Sequence, residues 1–165
     1  MTFEAIKQLL IAHFGPDVVL GEETGGLQPA LLIAPDRIAE VCLELRNNSA
    51  TYFDFLACLS GVDYGITANR FGVVYHLTSI PYQLQLTLKI SKEHGRDTND
   101  LPSFPSVSEV YRTADWHERE AYDLLGIFFE NHPDLRRILL PDDWEGYPLR
   151  KDYQAAEYYK GIKID

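Results

Sequence analysis

The chain has 165 residues, a hydrophobic content of 45% and a formal net charge of −10 at pH 7. This length and composition fit one globular domain with its own core, and the acidic balance argues against a surface that follows nucleic-acid phosphates. No apolar run approaches the ~20 residues that span a bilayer, and the N-terminus lacks the cleavage pattern of a secretory signal. Any membrane attachment is therefore expected to come through other chains.

The first part of the chain predicts a helix followed by two short strands. Residues 3–14 place apolar side chains at helical spacing, with Thr2 as the N-cap and Gly15 as the stop. Residues 17–20 and 30–33 are predicted to be strands on either side of a glycine-rich turn.

The middle of the chain predicts a second helix and a β-hairpin. Pro35 opens the helix, because proline favours the first helical position. The inner stripe of this helix consists of Ile38, Val41, Cys42 and Leu45. A short helical piece is predicted over residues 53–59. Residues 71–80 and 84–91 are β-rich and flank a proline-containing turn, which predicts a hairpin, and residues 92–103 are predicted to be a loop.

A third helix is predicted over residues 115–125, with Gly126 as its C-cap. Asp115 and Glu118 have the spacing of a capping box. Helices before and after a block of neighbouring strands favour an α+β fold with an antiparallel-rich sheet. We expect this domain to cover residues 1–126.

The charged residues of the third helix divide between two faces. Glu118 lies within an apolar stripe, whereas Arg119 and Asp123 lie four apart on another face. The stripe consists of Ala121, Tyr122 and Leu125. A buried carboxylate needs a partner, and Arg136 or Arg137 are the candidates. The alternative is a half-exposed Glu118 that only caps the helix.

Residues 127–165 form an extended segment with little periodicity and several prolines. Compact domains rarely keep such a stretch without a function, and arginine, tryptophan and tyrosine are the side chains that anchor interfaces. We predict that the segment binds a partner through Arg136, Arg137, Trp144, Tyr147, Arg150, Lys151 and Tyr153. Alternatively it folds back on its own domain, or residues 127–140 do so while 141–165 reach outward and are mobile in the isolated chain.

The sequence offers no ligand set for a redox centre or metal. Cys42 and Cys58 cannot supply the four ligands of an iron–sulfur cluster and are expected to be buried thiols. The His117-Glu118 pair lacks the second histidine of a zinc motif, and the glycine-rich nucleotide motifs are absent. The chain is therefore expected to bind no cofactor. Its many carboxylates leave a stand-alone acidic hydrolase as the alternative of another functional class.

Three blocks of the second half resemble one family. These are EREAYDLLGI at 118–127, HPDLRRIL at 132–139 and DWEGYPLRKDY at 143–153. They are similar to the C subunit of respiratory complex I, the 30-kilodalton subunit of NADH:quinone oxidoreductase, called the J subunit in photosynthetic relatives. Family members usually have glycine before the His-Pro, where this chain has Asn131. Asparagine tolerates a left-handed backbone, so the turn is expected to survive.

The resemblance implies a structural, cofactor-free subunit of the peripheral arm of that enzyme, which couples electron transfer from NADH to quinone to proton pumping. Flavin, iron–sulfur clusters and quinone are then expected on partner subunits, chiefly the large D subunit, with the B and I subunits nearby. The implied location is the cytoplasmic face of the plasma membrane in a bacterium. The equivalent subunit of a ferredoxin-dependent photosynthetic complex, on the stromal side of the thylakoid, or of a membrane-bound hydrogenase stays open.

Overall fold

The computed structural model describes residues 1–26 and 28–164, and it combines three helices with one large and two small sheets. Leu27 and Asp165, the last residue of the predicted extended segment, lie outside the described residues. The helices are α1 (Phe3–Phe14), α2 (Ile38–Asn47) and α3 (Ala114–Leu125). The large sheet contains β1 (Val19–Glu23), β2 (Ala30–Ile33), β3 (Phe55–Asp63), β4 (Arg70–Ser79) and β5 (Leu84–Glu93). The small sheets contain β6 (Ser103–Pro105) with β7 (Phe128–Glu130), and β8 (Tyr158–Tyr159) with β9 (Ile162–Lys163).

The large sheet has the strand order β1-β2-β5-β4-β3. All its neighbouring strands are antiparallel except β2 and β5, which run parallel. Consecutive strands β3, β4 and β5 form a meander, as the predicted hairpin requires. The predicted α+β class with an antiparallel-rich sheet is therefore confirmed.

The first helix begins and ends as the sequence predicts. The Ala5 N–H donates to the Thr2 hydroxyl at 3.2 Å, and Gly15 at φ 92° ends the helix. Short 3-10 turns, Pro16–Val18 and Pro35–Arg37, then precede β1 and α2, so both elements start a few residues later than predicted. The predicted inner stripe of α2 is buried.

The helical piece predicted over residues 53–59 is wrong, because most of this stretch belongs to β3. Leu56 and Leu59 face the core from β3, which pairs along its length with the ten-residue β4. Pairing with a long neighbouring strand outweighs local propensity. The predicted loop is also too long, since β5 continues to Glu93 and β6 begins at Ser103.

The third helix ends as predicted but begins differently. Gly126 adopts the left-handed conformation at φ 65°. The capping box is wrong, because Thr113 occupies the N-cap position without a side-chain hydrogen bond to the helix, and Glu118 turns into the interior. Asn131 has φ 63°, which agrees with the left-handed turn expected for it.

One hydrophobic core joins the helices to alternate residues of the strands. Ile127 and Phe129, which follow Gly126, are fully buried in it, so the chain stays on the domain beyond residue 126. Cys42 is buried as expected, whereas Cys58 is only half-buried, and both are free thiols. None of the described helices is long and apolar enough to cross a bilayer.

Candidate partner-binding surface and the charged network beneath it

Residues 131–153, called the anchored segment here, run back over the domain and are held first by Asp123. This aspartate is fully buried near the end of α3. One carboxylate oxygen accepts the N–H groups of Ile138, Leu139 and Leu140 at 3.0, 2.7 and 2.9 Å, and the other accepts from Arg137 at 2.7 Å. Burial raises the pKa of Asp123, but these hydrogen bonds outweigh it and hold the pKa below its usual value. The turn therefore depends on an ionised aspartate.

Arg137 joins three parts of the chain through one guanidinium group. Besides the ion pair with Asp123, it donates to the carbonyl oxygens of Trp144 and Gly146, each at 3.0 Å. A planar fork of donors suits such a multiple contact, which a lysine does not reproduce. Arg137 thus fixes the path of the anchored segment on α3 from inside.

Arg150 makes a second internal anchor, against the end of α3. Its side chain donates to the carbonyl oxygens of Leu125 at 2.7 Å, Gly126 at 3.3 Å and Arg96 at 3.2 Å, and lies over the ring of Tyr147. A Cβ atom added at Gly126 would lie 2.6 Å from that ring and 2.7 Å from the guanidinium. Only glycine therefore meets both the left-handed backbone and the close approach at this position.

Asp63, at the end of β3, provides a third anchor. Its two oxygens accept from both terminal nitrogens of Arg96 at 2.6 and 2.9 Å, and from the Lys151 N–H at 2.8 Å. Arg96 also reaches Asp152 at 2.8 Å. Burial raises the pKa of Asp63, but the Arg96 pair and the backbone donors lower it to about 2.

Other side chains of the anchored segment face outward. Arg136 has 67% of its side chain exposed and pairs with the exposed Asp134 at 2.9 Å. Lys151 is exposed, and Trp144 donates to the half-buried Tyr153 hydroxyl at 3.2 Å. Each basic pair of the segment therefore has one member that faces the domain and one that faces solvent.

The structure thus divides the residues that the sequence predicts to contact a partner. Tyr147 and Arg150 are buried against their own domain, and Arg137 keeps only 14% of its side chain exposed. Two are exposed, Arg136 and Lys151, and two are half-buried, Trp144 and Tyr153. Residues 141–153 fold back rather than reach outward. The role of all seven in an interface stays a prediction.

The predicted pairing of Glu118 with Arg136 or Arg137 is wrong. Glu118 is fully buried, but it accepts the Val107 N–H at 2.7 Å and the Ser106 hydroxyl at 2.6 Å. These donors belong to the turn before α3, which lies closer to Glu118 than the anchored segment's arginines do. Burial raises the pKa of Glu118 to about 7.

Arg119 supports the anchored segment without an ion pair. Its guanidinium donates to the carbonyl oxygens of Arg136 at 3.2 Å and Arg137 at 3.0 Å. The helix face that the sequence assigns to Arg119 and Asp123 therefore carries the segment, Arg119 through backbone acceptors and Asp123 through an ion pair and backbone donors.

The last described residues, 154–164, form the terminal hairpin and contain no buried side chain. Tyr159 donates to Asp143 at 2.8 Å, and Lys160 lies 3.3 Å from the same carboxylate. These surface contacts attach the hairpin to the anchored segment only loosely, since exposed ion pairs contribute little.

Within residues 1–26 and 28–164, no group of three or more His, Cys, Asp or Glu side chains is arranged to hold a metal ion. The charged clusters described above consist instead of carboxylates with basic or backbone donors. Such an arrangement orders backbone and shapes a surface.

Comparison with known proteins identifies the family. A family profile described as the 30 Kd subunit of respiratory-chain NADH dehydrogenase matches residues 31–159. The C subunit of the NADH-quinone oxidoreductase of Chloroherpeton thalassium is 46% identical over 99% of this chain and 64% of that protein. The corresponding C subunit of Chlorobium phaeobacteroides is 40% identical over 98% of both chains.

Two further comparisons describe how far these similarities extend. The chain spans about half to two thirds of the length of several curated relatives that it matches, with shares of 64% and 54%. Its fold is similar to a chain in the membrane-bound sulfane sulfur reductase, an archaeal respiratory membrane complex, with a TM-score of 0.71 at 23% identity, covering 92% of this chain and 84% of that one. By the profile match and these relatives, the chain belongs to the family of the 30-kilodalton subunit of respiratory-chain NADH dehydrogenase.

Proposed function

We propose that this chain is a structural subunit of the peripheral arm of an NADH:quinone oxidoreductase, and that it holds cofactor-bearing neighbours in place without carrying a redox centre. The electron transfer and proton pumping then belong to the whole complex. In this proposal the chain attaches to the membrane only through its partners, chiefly the large D subunit with the B and I subunits nearby, on the cytoplasmic side of a bacterial membrane.

The observation that carries the proposal is the anchored segment. Its inner side is held by the Arg137–Asp123 ion pair and by the Lys151 N–H, which donates to Asp63, so its backbone is ordered before any partner arrives. A preordered segment loses little conformational entropy on binding. Its outer side presents Arg136, Lys151 and the exposed side chains of Leu139 and Leu149, the mixture of basic and apolar groups that suits a protein interface.

The proposal is tested by isolating the complex through this chain. An affinity-tagged chain, expressed in place of the native one and purified from solubilised membranes, is expected to bring flavin-containing subunits and NADH:quinone reductase activity with it. The purified chain alone is expected to show neither NADH oxidation nor stoichiometric iron or flavin. Isolation of the tagged chain without other subunits, or hydrolase turnover by the chain alone, contradicts the proposal.

Removal of the chain separates a structural role from a catalytic one. Membranes that lack it are expected to contain fewer intact complexes, whereas the remaining complexes turn over near the normal rate per enzyme-bound flavin. Full assembly with a strongly reduced rate per flavin contradicts a structural role. Reductase activity that requires reduced ferredoxin in place of NADH assigns the chain to the photosynthetic alternative.

A further inference from the structure

Two ionisable side chains meet in the interior where the turn before α3 touches the start of the anchored segment. Glu118 and His132 have no exposed side-chain surface, and the Nε2 atom of His132 lies 3.9 Å from a Glu118 oxygen. Neither residue belongs to the anchors at Asp123 and Asp63. Burial penalises the charged form of each side chain. The hydrogen bonds around Glu118 and His132 must therefore either fix one protonation state or satisfy both.

The hydrogen bonds of His132 fix its proton. The Asp134 N–H donates to Nδ1 at 3.0 Å, so Nδ1 carries no proton. A neutral ring then carries its proton on Nε2, which lies 3.0 Å from the Asp115 carbonyl oxygen and 3.3 Å from the Asp115 carboxylate. A second proton on Nδ1 breaks the bond from Asp134, which holds the turn after His132. The bond from Asp134 therefore requires an Nδ1 atom without a proton.

The hydrogen bond between Glu118 and Ser106, in contrast, can change direction when Glu118 gains or loses a proton. Ser106 donates to Glu118 at 2.6 Å while its own oxygen accepts the Ser108 N–H at 3.1 Å, and the two serine hydroxyl oxygens lie 2.8 Å apart. If Glu118 gains a proton, its O–H donates to the Ser106 oxygen, and the Ser106 hydroxyl turns to donate to Ser108. Glu118 and Ser106 thus keep hydrogen-bond partners in both states.

We propose that Glu118 is an internal proton-binding site, that the Ser106 hydroxyl relays the proton between Glu118 and solvent, and that Ser108 accepts the Ser106 hydroxyl when it reverses. Ser106 is half-buried whereas Ser108 is only 9% exposed, so water reaches the relay at Ser106. The bound proton comes from bulk water and returns to it, and no other group changes its covalent state.

The neighbouring ionisable groups favour proton uptake by the carboxylate. Asp115 lies on the same helix and adds negative charge. The thiol of Cys42 on α2 and the hydroxyl of Tyr75 on β4 face Glu118 from the core, and both are neutral at ordinary pH. None of these groups brings a positive charge to Glu118. Burial accordingly raises the pKa of Glu118 to about 7.

The test uses the full chain with ¹³C-labelled glutamate side chains, observed by NMR across a pH titration. One glutamate carboxyl carbon is expected to titrate near pH 7, far above the usual 4.5, and this signal disappears in Glu118→Gln. The Asp134 amide signal is expected to shift with the same midpoint, because His132 links Asp134 to the site. Nitrogen-15 signals of His132 report whether Nδ1 accepts the Asp134 N–H.

Two serine variants test the relay even if Glu118→Gln does not fold. Ser106→Ala removes a donor to the ionised carboxylate and is expected to move the midpoint up by about one pH unit. Ser108→Ala removes the oxygen that accepts the Ser106 hydroxyl when Glu118 is protonated, and it is expected to move the midpoint down. Ser103→Ala is the control, because that hydroxyl bonds to Glu130 on the surface.

Three outcomes overturn the proposal. In the first, no glutamate carboxyl titrates between about pH 6 and 8, the range around the expected midpoint. In the second, the raised midpoint persists in Glu118→Gln, which assigns it to another residue. In the third, His132 gains a proton on Nδ1 while Glu118 stays ionised. Equal midpoints in the Ser106 and Ser108 variants and the wild type contradict the relay itself.

Discussion

The inner and outer sides of the anchored segment place neighbouring residues of the same charge in different environments. Arg137 has 14% of its side chain exposed and Arg136 has 67%. Arg150 is 6% exposed, whereas its neighbour Lys151 is exposed. The inner members bind carboxylates and carbonyls of their own domain, and the outer members are accessible to another chain. A basic pair in a sequence can therefore combine a side chain that holds the fold with one that is exposed to solvent.

Replacement of Arg137 is expected to have the largest effect on stability, because it leaves Asp123 buried without its cation. Breaking a buried pair in this way costs about 3–5 kcal/mol. Arg137→Ala should lower the free energy of unfolding by about that amount in urea denaturation. Arg136→Ala is the matched control and should leave the denaturation midpoint unchanged. Equal losses of unfolding free energy in the two variants contradict the distinction between the inner and outer sides of the anchored segment.

Replacement of Gly126 is expected to have the next largest effect. Gly126→Ala forces a left-handed backbone on a residue with a side chain, which costs about 1–3 kcal/mol, and it displaces Tyr147 and Arg150 as well. Gly95→Ala, whose added Cβ meets nothing within 4 Å, is the control. Thermal unfolding of the two variants measures the difference. A stable Gly126→Ala variant means that the anchor at Arg150 is not needed.

The pH dependence of stability should separate the anchors from Glu118. The pKa of Glu118 is raised from 4.5 to about 7, so its contribution is complete below pH 4.5 and is lost as the pH rises through about 7. The pKa of Asp63 is lowered from 3.8 to about 2, so its contribution is present above pH 3.8 and is lost as the pH falls toward 2.

Glu118→Gln should therefore remove a slope of up to about 1.4 kcal/mol per pH unit on the neutral side and leave the acid-side loss in place. Urea denaturation at a series of pH values measures the loss of stability on both the acid side and the neutral side. A wild-type stability that stays constant between pH 4.5 and 7 contradicts the assignment for Glu118.

Removal of the terminal hairpin is expected to have the smallest effect. A stop after Tyr153 deletes no buried side chain among the described residues, so the unfolding free energy should change by less than about 0.5 kcal/mol. Calorimetry of the truncated and full chains makes the comparison. A loss as large as that of Arg137→Ala shows that the hairpin, and not the inner arginines, holds the anchored segment.

Local features of the fold are predictable from sequence, whereas pairings between distant residues are not. The cap at Thr2 and the left-handed Gly126 follow from residues a few positions apart. The sequence does not predict the strand β3, because its conformation depends on pairing with β4. The Asp63–Arg96 anchor joins residues 33 positions apart, which no spacing rule connects.

The candidate site shows the same division. Composition and the three sequence blocks direct attention to the charged residues after α3, but periodicity does not tell which of two adjacent arginines turns inward. The need of Glu118 for a partner follows from its place in an apolar stripe. Its donors, Ser106 and Val107, come from a turn whose position depends on the packing of β6 against β7.

The central claim, that the outer basic residues bind a partner while the inner ones hold the fold, is tested most directly by the double variant Arg136→Ala/Lys151→Ala. Its isolated chain should unfold at the wild-type temperature, whereas membranes that contain it should hold clearly fewer intact complexes on native gels normalised to bound flavin. Loss of an interface anchor weakens association about tenfold or more. Normal amounts of complex, or a destabilised isolated chain, contradict the account.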